Sequence, residues 1–258
     1  MALEELSALR KQPGPLAGRR LAPSLLKHAE EQTVLAVAAI LRIIAAAGWQ
    51  ERDFSDWAVI AAPRFPGRLS LAPALEKFQK RGAASVSPLI VPTLSLHAMA
   101  GTLSLVLGAH GFHFGVGGGH DHLAEALLCA LAFGEDSDVP GVWVVATEWE
   151  PEPIPEPSGA SRVPAVGTAI ALGLAPRGGQ AARWRLRLAP LTSPGEAPPS
   201  GVRALAGFLQ GAIEPDRPRC WSCRLPGRGA IVLDDLGHPA TQPLDGALPA
   251  RTTTPGVA

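Results

Sequence analysis

Apolar residues fall into short blocks whose spacing switches between helical and strand periods. Glu31–Ala47 is apolar nearly all round and stops at Gly48, which predicts a helix packed between layers. Trp57–Ala62 is a continuous apolar run ended by Pro63 and predicts a buried strand. Ser70 is placed to cap a helix over Leu71–Lys80, with Pro73 in its first turn. The run Thr93–Gly108 is helix-long and closes on a glycine. Phe112–Val116 predicts a short strand, and Gly117, Gly118 and Gly119 a sharp break. His120–Phe133 predicts a helix, because Leu123, Ala126, Leu127, Ala130 and Leu131 repeat at helical spacing before Gly134. Val142–Ala146 and Val166–Leu174 read as further strands.

Between those two strands, WEPEPIPEPSGAS alternates proline and glutamate and reads as an exposed loop. Ala182–Leu188 alternates Arg183, Arg185 and Arg187 with Trp184, Leu186 and Leu188, a strand with one wet and one buried face. Three arginines in a row of alternate positions can greet a phosphate, but a solvated strand face accounts for them. Residues 191–200 form a Pro/Ser linker, and Val202–Gly211 a short helix. Arg219–Arg224 and Ala230–Asp234 flank a Pro-Gly-Arg-Gly turn and predict a hairpin. The expected organisation is a flexible arm over 1–20, one domain over 21–236 and a disordered Pro/Thr-rich tail over 237–258. The pattern describes an α/β domain, with a mixed five-stranded-type sheet flanked by helices and a C-terminal helix and hairpin.

The 258 residues can bury a sizeable core, and 47% of them are hydrophobic. A formal net charge of zero gives no reason to expect a nucleic-acid or membrane-surface partner. Cys129, Cys220 and Cys223 supply no disulfide framework, so a reducing cytoplasm is the expected location. Glu4, Glu5, Arg10 and Lys11 leave no apolar signal-peptide core near the start. The longest apolar run, Val34–Ala47, contains Arg42 and is too short to span a bilayer.

Ser87-Pro88, Pro92, Ala100-Gly101, Gly108 and Gly111 stand in order and spacing on one family pattern. Over residues 21–190 the chain resembles the N-terminal half of a β-ketoacyl-acyl-carrier-protein synthase, a thiolase-fold enzyme. The resemblance implies a thiolase-like half domain in which a strand, a tight turn and a helix start present a catalytic cysteine. Carried on without a gap, that cysteine position falls on His120, and with a gap on Gly117. Neither is cysteine. The family's two catalytic histidines have no matching motif, and His238 stands alone before a proline. A thiolate accepts the acyl group and two histidines support decarboxylation, so independent ketosynthase activity is not expected. The second, similar half that completes a synthase is not found, nor is the first sheet strand.

The resemblance therefore points to a non-catalytic partner, of chain-length-factor kind, in a fatty-acid, polyketide or aryl-polyene type pathway. Its partners would be a ketosynthase subunit and an acyl carrier protein. In the family the strand before the nucleophile pairs with its twofold mate, which makes Phe112, Phe114 and Val116 the expected edge of a homo- or heterodimer. Two alternatives stay open: an acyl-thioester enzyme of altered chemistry using His120, and a binding module for acyl chains or carrier protein. If active, it would be of acyltransferase type.

The pocket candidates are Gly117, Gly118, Gly119 and His120, whose backbone N–H groups and helix start suit an anion or thioester oxygen. The same glycines are explained by a tight turn. His110, His113, His120 and His122, with Asp121, have spacings seen in zinc sites, but a strand histidine and two helical ones at i, i+2 point apart. Cys220 and Cys223 form a single CxxC without further ligands. No metal and no cofactor is expected. His97 lies on an apolar helix, as a core histidine or a subunit-contact residue.

Overall fold

The computed structural model describes residues 3–11, 24–136, 138–175, 183–190, 200–211, 219–225 and 229–237. Parallel strands β1 (Ala58–Pro63), β2 (His113–Gly115) and β3 (Val142–Glu150) and antiparallel β4 (Val166–Leu174) form a sheet of order β2-β1-β3-β4. A second antiparallel sheet has the order β5-β7-β6, from β5 (Trp184–Pro190), β6 (Cys220–Arg224) and β7 (Gly229–Asp235).

The main sheet is buried on both faces because its strands are apolar at successive positions. Val59, Ala61, Trp143 and Val145 face one core with helices α2 (Glu31–Ala46) and α5 (Leu96–Leu107). Ala58, Ile60, Ala62, Val144 and Ala146 face the other, under α6 (His122–Asp136), α7 (Val202–Gln210) and the second sheet. Trp143 is fully buried and meets Phe54 edge-on at 5.5 Å and Trp57 at 5.7 Å. Arg52 lies 4.8 Å above Trp49 and 5.0 Å above Trp57, closing this aromatic group toward solvent.

Several expectations are corrected. The main sheet has four strands among the described residues, not the expected five, and residues 12–23 before β1 lie outside them. Within the expected arm, residues 3–11 are helix α1 (Leu3–Lys11), held by buried Leu6 and by Arg10, which donates to the Ala29 carbonyl at 2.6 Å and pairs with Glu31 at 2.9 Å. The long Thr93–Gly108 run breaks into α4 (Ile90–Leu94) and α5, because Ser95 is extended between them. Helix α3 (Arg68–Arg81) starts after Gly67, so Ser70 lies inside it and bonds Glu31 rather than capping. Helix α6 starts at His122, two residues later than expected, and runs through Gly134. The hairpin is present, with β5 added as a third strand. The linker over 191–199, the hairpin turn 226–228 and the tail from 238 lie outside the described residues.

Glu30 ties two helix starts together. Its side chain accepts from the Gln32 and Thr33 N–H groups at 2.8 and 3.3 Å, capping α2, and from the Gly67 N–H at 3.3 Å. Burial, with Glu31 beside it, pushes this carboxyl from 4.5 up to about 7. The folded chain thus holds the proton more tightly than the unfolded one. Its contribution to stability is full below pH 4.5 and is lost as pH rises toward 7. Glu30→Gln should remove about 2–3 kcal/mol of that pH dependence, measured as the difference in urea-unfolding free energy between the two ends of this window.

Candidate functional site

The carboxyl ends of β1, β2 and β3 lie along one rim of the sheet, where α/β folds bind ligands. Arg64, one residue past β1, is the hub of that rim. Its backbone N–H donates to Thr147 O at 2.9 Å, and its carbonyl accepts from Gln32 Nε2 at 2.8 Å. Gln32 Oε1 accepts from the Thr147 hydroxyl at 2.7 Å, so buried polar groups of α2, β1 and β3 satisfy one another. The Arg64 guanidinium reaches Glu152 at 3.1 Å, Glu148 at 3.6 Å and His120 Nδ1 at 3.2 Å. Arg68, at the start of α3, reaches the other Glu152 oxygen at 3.7 Å.

Glu148 also faces the C-terminal elements. Its carboxylate accepts from the Arg203 N–H at 2.7 Å in the first turn of α7. A Cβ on Gly201 would stand 3.0 Å from the same carboxylate, so glycine permits the approach. Burial raises the Glu152 carboxyl above the ordinary range, against the pull of Arg64 and Arg68.

The glycine turn is pinned to this hub. Gly118 bridges Arg64, and its carbonyl accepts from the Phe65 N–H at 3.2 Å. Gly117 has φ +79, and a Cβ there would lie 2.5 Å from the Cβ of His122. Only glycine fits against the start of α6. A Cβ on Gly119 would meet nothing within 4 Å.

His120 is exposed in the turn and stands edge-on to Phe65, with ring centroids 4.9 Å apart. Guanidinium groups only donate, so the Arg64 bond makes His120 Nδ1 an acceptor and places the proton of the neutral ring on Nε2. His120 thus offers an N–H outward, and serving as a base requires release of Arg64. His122, by contrast, is 1% exposed at the first position of α6, and neither ring nitrogen has a hydrogen-bond partner. Burial lowers its pKa first of all; Glu148 and the backbone of His120 and Gly119 oppose the shift, and Arg64 adds to it. It is a neutral imidazole filling the helix start.

Of eight buried side-chain N or O atoms without hydrogen-bond partners among the described residues, six belong to Arg64, His122, Glu148 and Glu152. The glutamate and Arg64 atoms still share ion pairs; His122 has none. No thiol lies in the turn or at the start of α6. The Thr147 hydroxyl is buried and already bonded to Gln32. The arrangement offers charge, one outward N–H donor and a closed helix start, with no thiol at the turn.

The other sequence candidates separate. His97 and His113 stack with ring centroids 5.1 Å apart, on the opposite side of β2 from Phe112 and Phe114 by strand alternation. No group of three His, Cys, Asp or Glu among the described residues is arranged to hold a metal ion. Cys220 is exposed and Cys223 buried, as residues three apart on a strand must be, and burial pushes Cys223 up to about 11. Arg185 and Arg187 pair with Asp234, at 3.4 and 2.7 Å, and Arg183 with Asp235 at 3.4 Å. Each of the three arginines thus has an aspartate partner on β7, Asp234 being shared by two of them. Phe114 on the edge strand β2 and Phe112 just before it are half-buried, 5.4 and 4.4 Å from Phe133 of α6. Sequence reasoning singled out neither Arg64, Glu148 nor Glu152, and it weighed His122 only as a metal ligand. A lone arginine just past a buried strand was the available signal.

No family model matches the chain, and no curated protein matches it. Among solved structures, it is similar to a chain in the complex of the ketosynthase ApeO with its chain length factor ApeC from Xenorhabdus doucetiae. The TM-score is 0.55 at 17% identity, over 90% of this chain and 92% of that one. The mixed sheet between helix layers is thus a ketosynthase-like, thiolase-like fold.

Two substitutions test the geometry. Gly117→Ala should cost about 2–4 kcal/mol in urea unfolding, from the positive φ together with the collision with His122. Arg64→Met should cost about 2 kcal/mol, less than a fully buried pair because Arg64 is 23% exposed.

Proposed function

We propose that this chain is a non-catalytic ketosynthase-like subunit, a chain-length-factor-like partner in a fatty-acid, polyketide or aryl-polyene type acyl pathway. The observation that carries the proposal is the start of α6. On a ketosynthase-like fold the chain carries His120, or Gly117 with a gap, where the family presents a cysteine, and a buried His122 fills the first position of the helix. Without a thiolate the covalent acyl step has no acceptor there. Support for the partner role comes from the neighbour itself, a ketosynthase held together with its chain length factor. The alignment covers both chains almost completely, so the matched chain has about the length of this one. We read this chain as one thiolase-type half, with a carrier protein serving the assembled pair.

Strand β2 is the edge of the main sheet and has only β1 as a neighbour among the described residues. Phe112, Phe114 and Val116 line that edge, half-buried, and Phe133 beside them is 36% exposed. An apolar strand edge left unpaired suits continuation of the sheet into a second subunit. The altered-enzyme reading has one specific obstacle: Arg64 occupies the lone pair that His120 would use as a base.

Phe114→Glu should weaken subunit association at least about tenfold by placing charge in the interface. Light scattering, alone and on co-expression with a ketosynthase, reads the mass. Loss of the dimer with a folded, cooperatively melting monomer is the expected result; the same dimeric mass in the variant would refute the edge assignment.

A further inference from the structure

A neutral net charge is an average over the chain, and α3 departs from it. This helix carries Arg68, Lys77, Lys80 and Arg81 against the single acid Glu76. Only Leu69 of its fourteen residues is buried. Leu69 and Pro73, four apart, form the face turned to the protein, where Pro73 meets Gly159. Leu71, Leu75 and Phe78, at helical spacing, form a different stripe. Leu75 is 58% and Phe78 52% exposed. The next turn of chain adds Leu89 and Val91, 55% and 72% exposed, while Leu71 and Leu94 both rest against Gly67. Lys80 pairs with Glu76 at 2.6 Å, whereas Lys77 and Arg81 make no ion pair among the described residues.

We propose that α3 and the start of α4 form a docking surface for an anionic lipid bilayer. Leu75, Phe78, Leu89 and Val91 are each more than half exposed. Projecting apolar groups beside long cationic side chains suit the headgroup boundary, where the stems bury and the charges meet phosphate. The unpaired Lys77 and Arg81 supply charge complementary to an acidic lipid surface. Glu152, bonded to Arg68, and Gly159, packed on Pro73, set the helix on the body with this stripe outward. Leu75, Phe78, Lys77 and Arg81 all lie on α3, whereas Leu96, just past α4, packs against Gly115 of the β2 edge.

Vesicle co-sedimentation tests it with the full chain. Vesicles of phosphatidylcholine with about 30% phosphatidylglycerol should carry the protein down, pure phosphatidylcholine should not, and added salt should release it. The pair Leu75→Ser with Phe78→Ser, and separately Lys77→Ala with Arg81→Ala, should each weaken binding about tenfold or more. Melting temperature checks that each variant is folded. No sedimentation with the anionic vesicles would overturn the proposal, as would equal sedimentation of the folded variants. So would a change of oligomeric mass in the Leu75/Phe78 variant without a change in vesicle binding, which would assign the stripe to a protein interface.

Discussion

One guanidinium holds the rim of the sheet together. Arg64 stands where β1 ends, and its five donors and backbone reach β3, the glycine turn, α2 and the loop after β3. A carboxylate at Glu148 or Glu152 in that setting would be costly alone, and each is stabilised by the shared cation. Glu148 in turn holds the first turn of α7, so the same charge network joins the main sheet to the C-terminal elements. The close approaches of Gly117 to His122 and of Gly201 to Glu148 are local consequences of that arrangement.

The consequence for chemistry follows from what fills the helix start. A thiolase-type site needs an accessible group there, stabilised by the helix end and stripped of competing partners. At the start of α6 a buried neutral His122 packs against Gly117, while the exposed His120 is engaged by Arg64. At the rim Gln32, Thr147 and the Arg64 backbone bond to one another, while ion pairs with Arg64 offset the buried Glu148 and Glu152 oxygens that lack hydrogen bonds.

Much of the fold was legible because buried parallel strands and the helices that cover them leave continuous apolar runs. Val166–Leu174 falls on β4 at both ends, and Trp57–Ala62 lies within one residue of β1. The misreadings have physical causes. Thr93–Gly108 carries no charged residue and scatters Ser and Thr along its length, so composition did not mark Ser95, whose extended backbone splits the run. Ser70 looks like a cap, but Gly67, with φ 75, starts α3 earlier. Helix α1 lies in a polar stretch and is fixed by one buried leucine and a long-range arginine, neither visible in local periodicity. The site was half legible: glycine spacing located the turn, but Glu148 and Glu152 are distant in sequence from Arg64, and only the strand register brings them together. The averaged charge likewise concealed the basic helix α3.

The central claim is that the fold has been kept without an acyl acceptor at the start of α6. Intact-protein mass spectrometry after incubation with acyl-carrier-protein thioesters of several chain lengths addresses it directly. The account predicts an unchanged mass at every chain length. A stable adduct with the mass of the acyl group would contradict it and show that a nucleophile elsewhere in the chain accepts the substrate.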